Sequence, residues 1–146
     1  MQIEVKIDRS CTEPKVIIVT DKITDEINHL MKKLSDDSPQ MLSGFKDDML
    51  EIIDESDIIS VYACSGKVFA ITEKGEYTLR LKLYEIEERL DKNYFVRISN
   101  SEIINLRKVK SFDLSFTGTI CVKLSNDTVT YVSRRRVGKV KKILGI

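Results

Sequence analysis

The sequence predicts a mainly β chain with a C-terminal helix, preceded by a small β-β-α segment. Three observations carry this reading. Between Asp48 and Val132 lie many short runs rich in Val, Ile, Thr, Tyr and Phe, residues that fit the pleated, half-buried surface of a strand. Turn residues separate these runs, as at Ser65-Gly66, Lys74-Gly75 and Ser125-Asn126-Asp127. Only three stretches repeat apolar residues at helical spacing.

In chain order, Ile3, Val5 and Ile7 alternate with Glu4 and Lys6, the period of a strand with one buried face. Pro14 precedes Val16-Ile17-Ile18-Val19-Thr20, a β-branched run read as a second strand. Ile23, Ile27, Leu30, Met31 and Leu34 then form a helical stripe. Thr20 or Asp21 is placed to cap it, because a side-chain oxygen there accepts from an unpaired first-turn N–H. Ser35-Asp36-Asp37-Ser38-Pro39 ends it, since the residue before a proline is disfavoured in a helix. Such a β-β-α unit is too small to be secure alone and is expected to pack on the rest of the chain or on a second copy.

Residues 35–44 read as a linker, which divides the chain into an accessory segment, 1–44, and a main domain, 45–146. In the main domain, strands are expected at Asp48–Ile53, Ile58–Cys64, Lys67–Thr72 and Glu76–Leu79. A helix with Leu83, Ile86 and Leu90 on one face follows, broken by Asp91-Lys92-Asn93. Tyr94–Ile98 alternates again. Ser99–Leu106 is ambiguous, a single helical turn being one reading. Strands are expected at Val109–Phe116, Thr119–Leu124 and Thr128–Val132. Arg134–Leu144 closes the chain as a basic amphipathic helix with Val137, Val140, Ile143 and Leu144 as its apolar stripe.

Composition excludes several classes of function. Hydrophobic residues make up 42% and charged residues 32%, a balance that buries a core and remains soluble. Apolar runs such as Val16–Val19 are far shorter than the roughly 18 residues of a membrane span. No apolar signal core follows Met1, so a cytoplasmic location is expected. Cys11, Cys64 and Cys121 are odd in number and widely spaced, which argues against a disulfide framework. One histidine, His29, on the polar side of the first helix, and no CxxC leave too few ligands for zinc. No Gly-rich phosphate loop or GxSxG is present, and no cofactor is called for. The pairs Asp36-Asp37 and Asp47-Asp48 read as solvated loop carboxylates. Cys64, at a strand end before Gly66, is either a buried structural thiol or a reactive one if a base lies near it.

Charge is distributed unevenly. Residues 1–90 carry 12 Lys+Arg against 19 Asp+Glu, a net of −7, and residues 91–146 carry 12 against 4, a net of +8. Either the halves neutralise each other on folding, or the basic end binds a polyanion. Ser133-Arg134-Arg135-Arg136 concentrates that charge between a strand and a helix. Guanidinium groups suit phosphate and the O6/N7 edge of guanine as bidentate donors. A solvated cluster is the plain alternative.

Two ordered motifs supply context. Tyr94-Phe95-Val96-Arg97-Ile98-Ser99-Asn100-Ser101-Glu102-Ile103-Ile104-Asn105-Leu106-Arg107-Lys108-Val109 joins an aromatic strand with an Arg to a polar pair, an apolar pair, Asn and a basic end. Val132-Ser133-Arg134-Arg135-Arg136-Val137 followed by Lys141-Lys142 is a strand ending in V-S-R-R and then a basic helix. Together they resemble the two signatures of the LytTR family of bacterial DNA-binding domains. Asp57-Ile58-Ile59-Ser60-Val61-Tyr62-Ala63 resembles a third, with Tyr62 where the family usually has an acidic residue. The resemblance runs from about Phe45 to Leu144.

The resemblance implies stacked short β-sheets that read double-stranded DNA through loops set in successive major grooves, and not a helix-turn-helix. It assigns base reading to Lys67, Asn100 and Arg135, and phosphate or framework roles to Arg97, Ser101, Lys108, Arg134, Arg136 and Lys139. The chemistry suits the assignment, since Asn pairs with adenine N6/N7 and Arg with guanine O6/N7. With only about 44 residues ahead of it, the domain is similar to short stand-alone LytTR regulators that lack a receiver domain. Those are often restrained by a small membrane protein. The expectation is thus a DNA-binding regulator, acting as a homodimer on repeated half-sites. Its rivals are a module that mainly grips a membrane-protein partner, and an enzyme built on Cys64.

Overall fold

The computed structural model describes residues 1–35 and 41–146. The chain divides into two units, Met1–Pro39 and Gln40–Ile146. The second is built on a sheet of seven strands: β1 (Leu42–Lys46), β2 (Met49–Ile53), β3 (Ile58–Cys64), β4 (Lys67–Thr72), β5 (Gly75–Leu79), β6 (Phe95–Ser99) and β7 (Glu102–Asn105). Their order is β2-β1-β5-β4-β3-β7-β6 and every neighbouring pair is antiparallel. A second sheet holds β8 (Val109–Asp113), β9 (Ile120–Leu124) and β10 (Val129–Val132) in the order β10-β9-β8. Helix α2 (Leu83–Arg89) joins β5 to β6, and α3 (Val137–Leu144) ends the unit.

The large sheet is covered on both faces, and the alternation of side chains shows how. Ile103 and Ile104 are consecutive, both buried, and belong to different cores. On one face Val61, Val68, Ala70, Leu79 and Ile103 pack with Leu83, Ile86 and Leu90 of the α2 region. On the other, Val96, Ile98 and Ile104 pack with Ile120, Val122 and Leu124 of β9, Val132 of β10 and Val140 of α3. Fully burying one such aliphatic side chain contributes roughly 1.5–3 kcal/mol, so these two clusters are what hold the layers together. Asn105 is buried between them and satisfied, donating to Ile58 O at 2.8 Å and accepting from Arg107 N at 3.0 Å.

Several expectations are corrected. Residues 42–44, expected in a linker, open β1. Gly44 made that stretch look like a loop, but it is a packing residue: a Cβ there would lie 2.8 Å from Tyr77 Cβ and 2.9 Å from Ile53 Cδ1. Ser99–Leu106 is the end of β6, a turn at Asn100-Ser101 and strand β7, followed by a 3-10 turn at Leu106–Lys108. Consecutive isoleucines suit a strand buried on both faces. The arginine run is not the first turn of the last helix but a separate 3-10 turn, Arg134–Arg136.

Of the β-β-α segment expected at the N-terminus, only the helix is present, α1 (Asp25–Ser35). Residues 3–7 and 16–20 form no strand. Ile3, Val5 and Ile7 are 88%, 83% and 88% exposed. Alternation marks one face of a chain as apolar, but a strand also needs a neighbour for its backbone N–H and C=O groups. The cap of α1 is Thr24, not Thr20 or Asp21: its Oγ1 accepts from Ile27 N at 3.4 Å. The stop expected at 36–39 lies outside the described residues.

Candidate nucleic-acid interface

The antiparallel register puts two tight turns at one end of the large sheet. Cys64 pairs with Lys67 across the β3–β4 turn, and Ser99 with Glu102 across the β6–β7 turn. Tyr62 lies opposite Glu102, and Ala63 N donates to Ser101 O at 2.8 Å, so the two turns are neighbours. The first is tight because Ser65 and Gly66 both take left-handed backbone angles, with φ of 51° and 76°. That geometry matches the twist of the flanking strands. A third segment joins them where β10 ends: Ser133 N donates to Ile98 O at 2.8 Å, which sets Arg134–Arg136 beside the end of β6.

At this turn end the structure brings together two of the three expected base readers. Arg135 Nη2 lies 3.4 Å from Asn100 Oδ1, although 35 residues separate them in sequence. Both side chains are exposed. Lys67 is exposed at the same end, on β4, with β3 and β7 between it and β6. At a strand spacing near 4.8 Å, that places it about 14 Å away along the sheet edge.

The other predicted residues fall into different places. Ser101 is exposed in the β6–β7 turn, its N–H donating to Ser99 Oγ at 3.2 Å. Arg134 is exposed next to Gly118, where a Cβ would lie 3.7 Å from Arg134 Nε, and Arg136 is half-buried. Lys139 is exposed on α3. Arg97 faces inward and its side chain is only 13% exposed. Its guanidinium donates to Glu87 Oε2 at 2.6 Å, to Ser99 O at 2.8 Å and to Asn100 O at 2.6 Å. Lys108 is at the opposite end of the sheet, paired with Glu73 at 3.1 Å. The structure therefore does not place it with the other basic groups.

Besides Glu87, a second carboxyl lies near the turn end. Glu102 accepts from Thr130 Oγ1 between the two sheets, and burial pushes its pKa above the usual 4.5 despite that hydrogen bond. A group biased toward the neutral form repels an anion less than an exposed carboxylate does. Tyr62, standing where an acid is usual, donates to Glu76 Oε1 at 2.7 Å and stacks on Phe69. The hydrogen bond to Glu76 is the main reason its phenol pKa is pushed up to about 12. Cys64 is exposed, so its reading as a buried structural thiol is corrected; the polar atom it meets is Ser65 Oγ at 3.8 Å, which is not a base. Among the described residues no group of His, Cys, Asp or Glu is arranged to hold a metal ion, and no helix is long and apolar enough to cross a membrane.

Residues 48–145 match the family described as the LytTr DNA-binding domain. The chain belongs to the LytTR family. Relatives share the rest of its length as well. Proteins of Staphylococcus aureus strains NCTC 8325 and COL, each called an uncharacterized HTH-type transcriptional regulator, are 33% identical over 147 residues, covering 100% of this chain and 99% of theirs. A solved LytTr DNA-binding domain from Bacillus cereus superposes with a TM-score of 0.69 at 23% identity, over 73% of this chain and 97% of that one. The LytTR fold of this chain offers no pair of consecutive helices in residues 41–146: five strands separate α2 from α3. Glu87, the carboxylate partner of Arg97, has no signal in the sequence. It lies ten residues before Arg97 on a different element, and no local pattern connects the two.

Proposed function

We propose that the chain is a sequence-specific transcriptional regulator that reads major-groove base edges with the turn end of its large sheet. Asn100 and Arg135 act as one reading pair, and Lys67 reads from the neighbouring turn. Ser101, Arg134, Arg136 and Lys139 meet phosphates around them. The observation that carries this reading is the 3.4 Å approach of Arg135 to Asn100. It joins an adenine-type and a guanine-type reader from two separate motifs on one exposed surface.

The regulator acts as a homodimer on repeated half-sites. Support comes from the apolar side chains that residues 1–35 leave exposed, Ile3, Val5, Ile7, Val16, Ile17 and Val19 among them. Antiparallel pairing of residues 3–7 with the same residues of a second copy, centred on Val5, sets Ile3 opposite Ile7 and Glu4 opposite Lys6 in both directions. Cross-strand apolar and opposite-charge pairs of this kind are stabilising, and a two-fold axis makes each pair occur twice.

The test of DNA reading is to select binding sites from random duplexes, then compare Arg135→Lys with the parent on the selected site and on random DNA at two salt concentrations. A bidentate reader cannot be replaced by a point charge, so the selected site should lose affinity and random DNA should not. Equal small losses on both would reduce the arginine run to a solvated charge cluster.

A further inference from the structure

Arg97 sits in the middle of the first DNA-binding signature, yet its guanidinium is fully engaged inside the protein. Its three donor nitrogens each hold a partner: Nε the carbonyl of Ser99, Nη2 the carbonyl of Asn100, and Nη1 the carboxylate of Glu87. Ser99 and Asn100 are consecutive, so one planar fork fixes two successive peptide units at the start of the β6–β7 turn. Glu87 in turn is carried by α2, whose adjacent Ile86 is completely buried in the core below. Phe95 and Arg97 share the face of β6 that looks toward α2, while Val96 and Ile98 face the second sheet. To reach a phosphate, Arg97 would have to leave three charge-assisted or carbonyl hydrogen bonds, which are stronger than neutral pairs where a charge is involved.

We propose that Glu87 and Arg97 are a positioning pair, which sets the Asn100 turn in its reading geometry so that specificity depends on a carboxylate of α2 that touches no DNA. The proposal rests on Asn100 being a base reader. The pair transmits the rigid placement of α2 to the turn, and a reading group works only when its supporting residues hold it to within a fraction of an ångström. A lysine at 97 keeps a charge for Glu87 but has no fork with which to hold both carbonyls. A glutamine at 87 keeps the shape and removes the charge.

The experiment uses the full chain, a duplex site selected by the parent protein, and a random duplex. Arg97→Lys and Glu87→Gln should each lose about tenfold in affinity for the selected site, the scale of one impaired base contact. Each should lose less than about twofold on random DNA, with the salt dependence unchanged, because phosphate contacts carry that binding. In an Asn100→Ala background, Glu87→Gln should have no further effect. Thermal melting identifies any variant that has lost its fold, and Glu87→Gln, half-exposed and isosteric, is the variant that decides if Arg97→Lys unfolds. Equal losses on both duplexes with a salt slope reduced by about one would make Arg97 a phosphate binder and overturn the proposal. An Asn100→Ala effect on specificity with a silent Glu87→Gln would also overturn it while leaving base reading intact. An Asn100→Ala variant with undiminished specificity would overturn base reading itself, and with it the proposal.

Discussion

The two ends of the large sheet treat their cations differently. At the far end from the turns, Lys74 pairs with Asp57 and Lys108 with Glu73, and on the adjoining three-stranded sheet Lys110 and Lys123 pair with Asp127. Lys46 donates to the carbonyl of Lys74, and the Arg107 guanidinium lies 3.2 Å from the centre of the Tyr94 ring. At the turn end, among the described residues, Lys67, Arg134, Arg135 and Lys139 have no carboxylate partner; Arg97 alone pairs there, with Glu87. Both ends are rich in Lys and Arg, so the count of charges does not distinguish them. Pairing does. The +8 of residues 91–146, in which Asp127 is already counted, is partly cancelled by Glu73 and Glu87 from the acidic half, and what remains for a polyanion is concentrated on one edge.

The largest effect expected is on DNA affinity. Arg135→Ala should lose about 1–3 kcal/mol on the selected site and far less on random DNA, whereas Lys108→Ala should leave both affinities and the salt slope unchanged in the same titrations. If Lys108→Ala weakens both DNAs, the contrast between the ends is wrong. Lys139→Ala is intermediate: both DNAs should weaken by similar factors, and the slope of log affinity against log salt should fall by about one unit.

The dimer can be tested by charge. Glu4→Lys and Lys6→Glu should each push sedimentation toward monomer, since like charges then face each other across the pairing. An equimolar mixture of the two variants should recover the dimer, because each strand then meets its opposite. A mixture that stays monomeric places the interface elsewhere.

A smaller effect is pH-dependent. Burial raises the folded-state pKa of Glu102 above its unfolded value of 4.5, so ionising it in the folded protein costs stability. That cost is absent below the unfolded pKa, grows as pH rises through the folded one, and is complete above it. Glu102→Gln can still accept from Thr130. Its melting temperature relative to the parent should therefore rise at pH 7–8, and the gain should vanish near pH 4. The smallest effect belongs to the paired cations of the adjoining sheet. The hydrogen bond and charge of Lys110 hold Asp127 below its usual 3.8, a contribution present above that pH and lost as pH falls through the lowered value. Asp127→Asn should narrow the difference in melting temperature between pH 7 and pH 3 slightly; an unchanged difference would mean the pair contributes nothing.

Legibility followed side-chain pattern wherever a segment finds a partner strand, edge strands β2 and β6 included. Strands β3 and β4 coincide with the runs Ile58–Cys64 and Lys67–Thr72, because they are central and their β-branched residues have cores on both sides. Although paired on both sides, β1 was hidden by Gly44, whose missing side chain reads as a loop and is in fact demanded by Tyr77 and Ile53. The N-terminal runs carried an equally clear strand pattern and form no strand.

The sequence by itself determined the mainly β class, the family through two ordered motifs, and the residue types able to read bases, since periodicity and side-chain chemistry are local properties. Only the tertiary structure decided which cations are free. Lys108 and Arg97 look like Arg135 in the chain, but one is neutralised by Glu73 and the other is turned inward onto Glu87 and two carbonyls. Those partners come from other strands and from α2, and a Coulomb or hydrogen-bond energy depends on distance in space, which antiparallel register and core packing set and sequence separation does not.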